Sequence, residues 1–261
     1  MNDASDEDLP TLLTFQPMVD SETSRLLLAH YRVRYRESDH LFGLVSILAK
    51  LRGGTGFLPL LRGPGLALTA PRPIAEHFEA LEPAERRLIP KDGPLVAQVE
   101  ADWQTFNGEM GADTAVFAYY YLLPERKLMT RIFATPVPWV EARLTPLLYP
   151  VLAMLFRKGL KLGPERADEA IARIRRTFDE TDRRIADGRP YLCGERVTLG
   201  DIALAAASAP LLLPQGYHAA MPALEEMPPP VRAAIEELRA HPTAAFVQRL
   251  YAEGFPRARA V

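Results

Sequence analysis

A single cysteine, Cys193, is all that 261 residues contain. That excludes an internal disulfide, a C-x-x-C redox pair and a multi-cysteine zinc site, and it fits a reducing, cytoplasmic setting. The five histidines, His30, His40, His77, His218 and His241, show no H-x-x-x-H or H-E-x-x-H spacing, so no metal site is expected. Excess charge is also lacking. The net charge of -2 gives none of the basic footprint that marks a nucleic-acid binder. No apolar run reaches the ~18 residues that a spanning helix needs. The most apolar windows, Leu144 to Phe156 and Ile202 to Leu213, contain Pro146, Pro150 and Pro210 and are expected to be buried helices. Met1 to Asp8 is acidic and polar with no apolar core after it, so secretion is not expected. Internal repeats and low-complexity tracts are absent.

What is there belongs to an ordinary globular chain: 48% hydrophobic and 25% charged residues, enough to bury the core of one large domain or two small ones. Proline is in excess, 24 residues, roughly twice the ~5% average. The cluster at Pro136, Pro138, Pro146, Pro150 and Pro228 to Pro230 divides the C-terminal part into bounded helices.

Along the chain, Thr11 to Phe15 reads as a strand, and Ser21 as the N-cap of a helix that runs through Leu26, Leu27 and Leu28. Val33 to Tyr35 is a second strand candidate, and His40 to Leu51 a helix stopped by Arg52-Gly53-Gly54. Phe57 to Arg62, the turn Gly63-Pro64-Gly65 and Leu66 to Thr69 form a hairpin. Thr69 can cap a helix with Pro71 and Pro73 in its first turn and with Ile74, His77, Phe78 and Leu81 on its buried face. Pro59 either demotes its strand to an edge or follows a cis peptide that turns a loop toward a ligand. A charged, proline-rich connector then places a boundary near Pro90 to Pro94. Beyond it only helical spacing recurs, as in Ile171, Ile174, Phe178, Thr181 and Ile185. Thr198 and Asp201 make a capping box, with Val197 and Ile202 as its hydrophobic staple.

The strand, helix, strand, then strand, strand, helix order is thioredoxin-like. The segments S-R-L-L-L-A-H-Y-R-V-R-Y, F-L-P-L-L through A-P-R-P-I-A-E-H-F, and Y-L-C-G-E-R-V-T-L-G-D-I-A resemble those of glutathione transferases. The likeness covers Thr11 to Phe246 and is vague from Val96 to Leu162. It implies an α/β plus all-α fold, with a thioredoxin-like βαβ-ββα domain over 10–92 and a helical-bundle domain over 93–255. It also implies a homodimer that uses glutathione as co-substrate to conjugate or reduce a small hydrophobic electrophile or peroxide. The alternative is a non-catalytic member that binds apolar ligands or a protein partner.

The same resemblance assigns a site. Pro59 would be cis, with the Leu58 backbone clamping glutathione. Family members usually carry Glu-Ser where this chain has Ala70-Pro71, so a carboxylate and a hydroxyl are missing from the γ-glutamyl end, and Arg72 is the neighbouring cation. Lys50 and Arg52 would meet the glycine carboxylate. The thiol-activating Ser or Cys falls on Met18 and the activating Tyr on Thr14, which leaves Ser21 as the nearby hydroxyl at the helix start. His40 is a loop residue and a candidate for a substrate role, and Cys193 reads as packing. Tyr119 to Tyr121, Trp103, Trp139 and Tyr149 would line an apolar cleft or fill the core.

Overall fold

The structure is a computed structural model and describes residues 9–91, 93–135 and 137–254. Pro136, the acidic residues 1–8 and the limits 92 and 255 of the expected division lie outside the described residues. The N-terminal part contains β1 (Thr11–Thr14), α1 (Val19–His30), β2 (Arg36–Asp39), α2 (Leu44–Leu51), β3 (Leu60–Gly63), β4 (Leu66–Thr69) and α3 (Pro71–Glu79). The four strands lie in the order β2-β1-β3-β4. β1 pairs parallel to β2, Thr11 opposite Arg36, and antiparallel to β3, Leu13 opposite Leu60. This is the thioredoxin-like order expected.

The second strand begins after the Val33 to Tyr35 segment and runs through Arg-Glu-Ser-Asp, which no hydropathy pattern would select. Its carboxylates are accommodated by Arg25 of α1, which is 1% exposed. The guanidinium donates to Glu37 at 2.5 and 2.9 Å and to Glu22 at 3.2 Å, and lies 3.7 Å from Asp39. A buried charge needs such partners, and here they order a polar strand against a core helix. The first strand of the hairpin is likewise shorter than the Phe57 to Arg62 run, starting at Leu60.

Two caps also differ. Met18, not Ser21, is the N-cap of α1, and Ala70, not Thr69, is that of α3, with Pro71 at the first helical position. Within α3 it is Pro71, Ile74, Ala75 and Glu79 that are buried, while His77 is exposed against the edge of Phe78. Glu79 accepts from Tyr31 Oη at 2.8 Å and from the N–H groups of Leu88 and Ile89 at 3.0 and 2.9 Å, which fastens the connector to the sheet region.

The C-terminal part is helical: α4 (Pro94–Trp103), a π-helical segment (Gln104–Met110), α5 (Gly111–Leu122), α6 (Arg126–Ala134), α7 (Trp139–Gly159), α8 (Pro164–Ile185), α9 (Leu199–Leu212), α10 (Pro229–Leu238) and α11 (Pro242–Gly254). α9 is its axis, buried along its length except at Pro210 and packed against α1, α4, α5, α10 and α11. Its alanines let neighbours approach. A Cβ on Gly200 would lie 2.6 Å from Asp102 Cβ of α4, so only glycine fits that crossing. The capping box forms as read, Asp201 accepting from the N–H and Oγ1 of Thr198, each at 2.8 Å. The expectation of a buried helix holds for α9 and fails for α7. There Thr145, Tyr149, Leu152 and Phe156 are buried, while a second apolar face is open to solvent.

Candidate functional site

A cavity of about 490 Å³ opens where the first turn of α1 meets α5, the π-helical segment and the end of α7. The turn from Phe15 through Pro17 and Met18 forms one wall, and Val19 and Asp20 bring the helix N-terminus to it. Gly111 permits the approach, since an added Cβ would lie 3.3 Å from Val19 Cγ1. The remaining walls are apolar, with Phe42, Ala118, Met129, Ile132 and Phe156 among them. Tyr119 stacks on Phe156 at 4.5 Å and belongs to an aromatic cluster with Phe15, Phe42 and Phe133 that stiffens this side.

Polar groups in the cavity are few. Asn107 Nδ2, from the π-helical segment, donates to Asp20 Oδ1 at 3.4 Å, and Thr23 Oγ1 donates to Asn107 Oδ1 at 3.1 Å. Burial pushes the Asp20 carboxyl up to about 6, against the smaller lowering by the Asn107 hydrogen bond. A carboxyl that exchanges its proton near neutrality, beside the positive end of a helix, is equipped to hold or pass one proton. Neither Asp20 nor Asn107 stands out in the sequence. The available signals are an Asn-Gly pair inside an otherwise helical run and an acid in a first turn.

Neither hydroxyl expected near the thiol lines this cavity. Ser21 and Thr14 are both 0% exposed and bond to each other, and Ser21 Oγ donates to the Phe15 carbonyl at 2.9 Å. Ser21 therefore sits inside the first turn with its hydroxyl turned back to the strand end, not outward as a cap. Met18, which cannot donate, is the residue that reaches the cavity.

The Leu58-Pro59 peptide is cis, and Ala70 N–H donates to the Pro59 carbonyl at 2.9 Å, so these predicted positions are brought together. The Leu58 side chain is buried in the core. Ala70 has φ 72° and ψ 161°, a region that residues other than glycine rarely occupy. Arg72 is already engaged: Nε donates to Glu76 at 2.8 Å, Nη1 to Glu100 at 2.7 Å, and the guanidinium lies 5.9 Å from the Trp103 ring centre. Lys50 and Arg52 are exposed at the end of α2.

His40 bridges Ser38 Oγ at 3.0 Å and Glu141 at 2.6 Å, tying the loop before α2 to α7. Cys193 packs between Asp102 and Arg184, and burial, then the Asp102 charge, pushes its thiol up, as suits an inert residue. Trp103 and Tyr149 are core residues, Tyr119 alone of the three tyrosines lines the cavity, and Trp139 is on the surface. Asp179, Asp182 and His241 lie together, but Asp182 is occupied by Thr243 and His241, as a cap for α11.

Residues 164–260 match the family model of the glutathione S-transferase C-terminal domain. The chain has the glutathione transferase fold. A glutathione transferase of Phanerochaete chrysosporium aligns over 94% of this chain and 96% of its own, at 16% identity and TM-score 0.60. One of Ceriporiopsis subvermispora, solved in complex with glutathione, aligns over 95% and 99% at 14% identity and TM-score 0.59. One of Sinorhizobium meliloti 1021 aligns over 95% and 96% at 19% identity and TM-score 0.54. No curated protein sequence matches the chain. The C-terminal residues match the family model and the chain as a whole shares the fold of these glutathione transferases.

Proposed function

We propose that the protein is a glutathione-dependent enzyme of the cytoplasm that conjugates or reduces a hydrophobic electrophile or peroxide, working as a homodimer with separate domains over 10–92 and 93–255. The observation that carries this reading is the apolar cavity at the N-terminus of α1, within a fold whose solved relatives include a glutathione complex. Glutathione would lie along the cleft beside Leu58, Pro59 and Ala70, with Lys50 and Arg52 available to its glycine carboxylate. Its sulfur would meet the positive end of the α1 dipole, which favours a thiolate. Asp20 would accept the thiol proton, because no hydroxyl of Thr14 or Ser21 reaches the cavity.

The γ-glutamyl end is poorly served. Ala70 offers no polar side chain, Pro71 and Pro73 have no N–H to donate, and Arg72 is held by Glu76 and Glu100. Binding is therefore weak. That feature favours the second reading, a non-catalytic protein that keeps the cavity for apolar ligands. Titration calorimetry with millimolar glutathione, followed by turnover of a panel of electrophiles and peroxides, separates the two. Heat and turnover support the enzyme, whereas silence in both, with an apolar fluorescent probe still entering the cavity, leaves the binding protein.

A further inference from the structure

We propose that α7 and α2 form a docking face for an anionic lipid surface, on which the protein lies without crossing the bilayer. This inference stands apart from catalysis. α7 is apolar on two opposite faces. Thr145, Tyr149, Leu152 and Phe156 are buried, and at the same three-and-four spacing Val140, Leu144, Leu147, Val151 and Met154 are exposed, Leu147 by 75%. Trp139, 73% exposed, stands at the start of this stripe. α2 continues it: Leu44, Ile47 and Leu51 are exposed at helical spacing, and Leu155 of α7 lies against Gly43 where α2 begins. Most of the large apolar side chains that the described residues leave exposed are on these two helices. Apolar surface so concentrated marks a site of interaction rather than scattered exposure.

Charge decides the occupant. From Trp139 to Lys161 the chain carries Arg143, Arg157, Lys158 and Lys161 against the lone acid Glu141, in a protein whose net charge is -2. Those four bases are exposed and make no ion pair among the described residues, whereas Glu141 is held by His40. Lys50 and Arg52 add two exposed bases at the end of α2. An apolar stripe with an aromatic residue at one end and a basic rim is the pattern of a helix lying in a bilayer interface, where anionic headgroups meet the rim. A second copy fits less well, because a two-fold contact would set one basic rim against the other. A spanning helix is excluded by the packing, since Tyr149, Leu152 and Phe156 are fixed in the core and Tyr149 Oη donates to the Leu123 carbonyl at 2.5 Å. Leu155, Phe156 and Gly159 of α7, with Leu160 just after it, also wall the cavity, so an apolar molecule dissolved in the bilayer would have a short path into it.

The test is co-sedimentation of the full chain with phosphatidylcholine vesicles, with and without about a third phosphatidylglycerol, at low and high salt. The expected result is binding to the anionic vesicles only, weakened by salt, with a blue shift of Trp139 emission that Trp139→Phe abolishes. Leu147→Glu with Val151→Glu, or Arg157→Glu with Lys158→Glu, should reduce the partition coefficient by at least about tenfold. Leu81→Glu, at an exposed leucine elsewhere, should leave it unchanged. Circular dichroism confirms that each variant is folded. The proposal is overturned by folded protein that ignores anionic vesicles. It is equally overturned by Trp139 emission that is already blue in a vesicle-free dimer and turns red when Leu147→Glu makes a monomer.

Discussion

The backbone N–H of Ala70 bonds to the carbonyl of Pro59 at 2.9 Å, and it does so with Ala70 at φ 72° and ψ 161°. That conformation costs a non-glycine residue about 1–3 kcal/mol. Ala70→Gly should therefore stabilise the protein by about 1 kcal/mol after the larger chain entropy of glycine is set against the relief. Ala70→Val should destabilise it. Urea denaturation followed by circular dichroism reads both, and a lower midpoint for Ala70→Gly would contradict the assigned backbone conformation.

On the proposed function, the next residue limits glutathione affinity. Pro71→Ser restores both an N–H and a hydroxyl at the first position of α3, where an anion is favoured by the helix end. One charge-assisted hydrogen bond is worth about 1.5–3 kcal/mol, so glutathione should bind roughly tenfold to a hundredfold more tightly. Calorimetry measures this directly. An unchanged heat would mean that the γ-glutamyl group lies elsewhere.

The sequence made the fold legible where its signals were local: the hairpin with its glycine turn, the Thr198 to Asp201 capping box and the alanine-rich α9. It misled where tertiary partners override composition. Arg36 to Asp39 becomes a strand because Arg25, eleven residues before Arg36, turns its guanidinium toward Glu37 and Asp39. α7 looks like a core helix because both of its faces are apolar, and composition cannot say that only one is covered. Of the positions expected to hold glutathione, Pro59 and Ala70 came from the resemblance, and the local signals set the α3 cap one residue early, at Thr69. The cavity was not legible, since Asp20, Asn107 and Tyr119 meet only through the packing of α1 against α5 and the π-helical segment.

The Arg25 cluster makes a prediction of its own. Arg25→Met fills the space but takes away the buried guanidinium that Glu22, Glu37 and Asp39 share, and removing one partner of a buried ion pair costs about 3–5 kcal/mol. Burial alone would raise Glu22, but the hydrogen bond and charge of His218, with Arg25 and Tyr251, hold it below the usual carboxylate range. Its contribution is present above the unfolded pKa and lost as the pH falls through the lower folded value. The variant should therefore unfold at a lower urea concentration near neutrality. A midpoint within experimental error of wild type would remove the cluster from any role in stability.

Asp20 has the opposite sign. Burial raises its carboxyl to about 6, above the ~3.9 of an unfolded aspartate, so the folded state holds the proton more firmly. The stabilising effect of that proton is complete below the unfolded value and disappears as the pH rises through about 6. At pH near 8 the ionised group costs about 2–3 kcal/mol relative to a neutral residue of the same shape, a difference of roughly two pKa units. Asp20→Asn keeps an oxygen for Asn107 and carries no charge, so it should be more stable than wild type at pH 8 by about that amount, the gap roughly halving by pH 5. Melting temperature against pH for the two proteins provides the measurement. Curves that run parallel from pH 5 to 8 would show that the carboxyl titrates at its ordinary value, and Asp20 would then be no better a proton acceptor than any surface aspartate. A converging pair of curves, together with loss of glutathione turnover in Asp20→Asn while glutathione binding is retained, would assign the proton transfer to this residue.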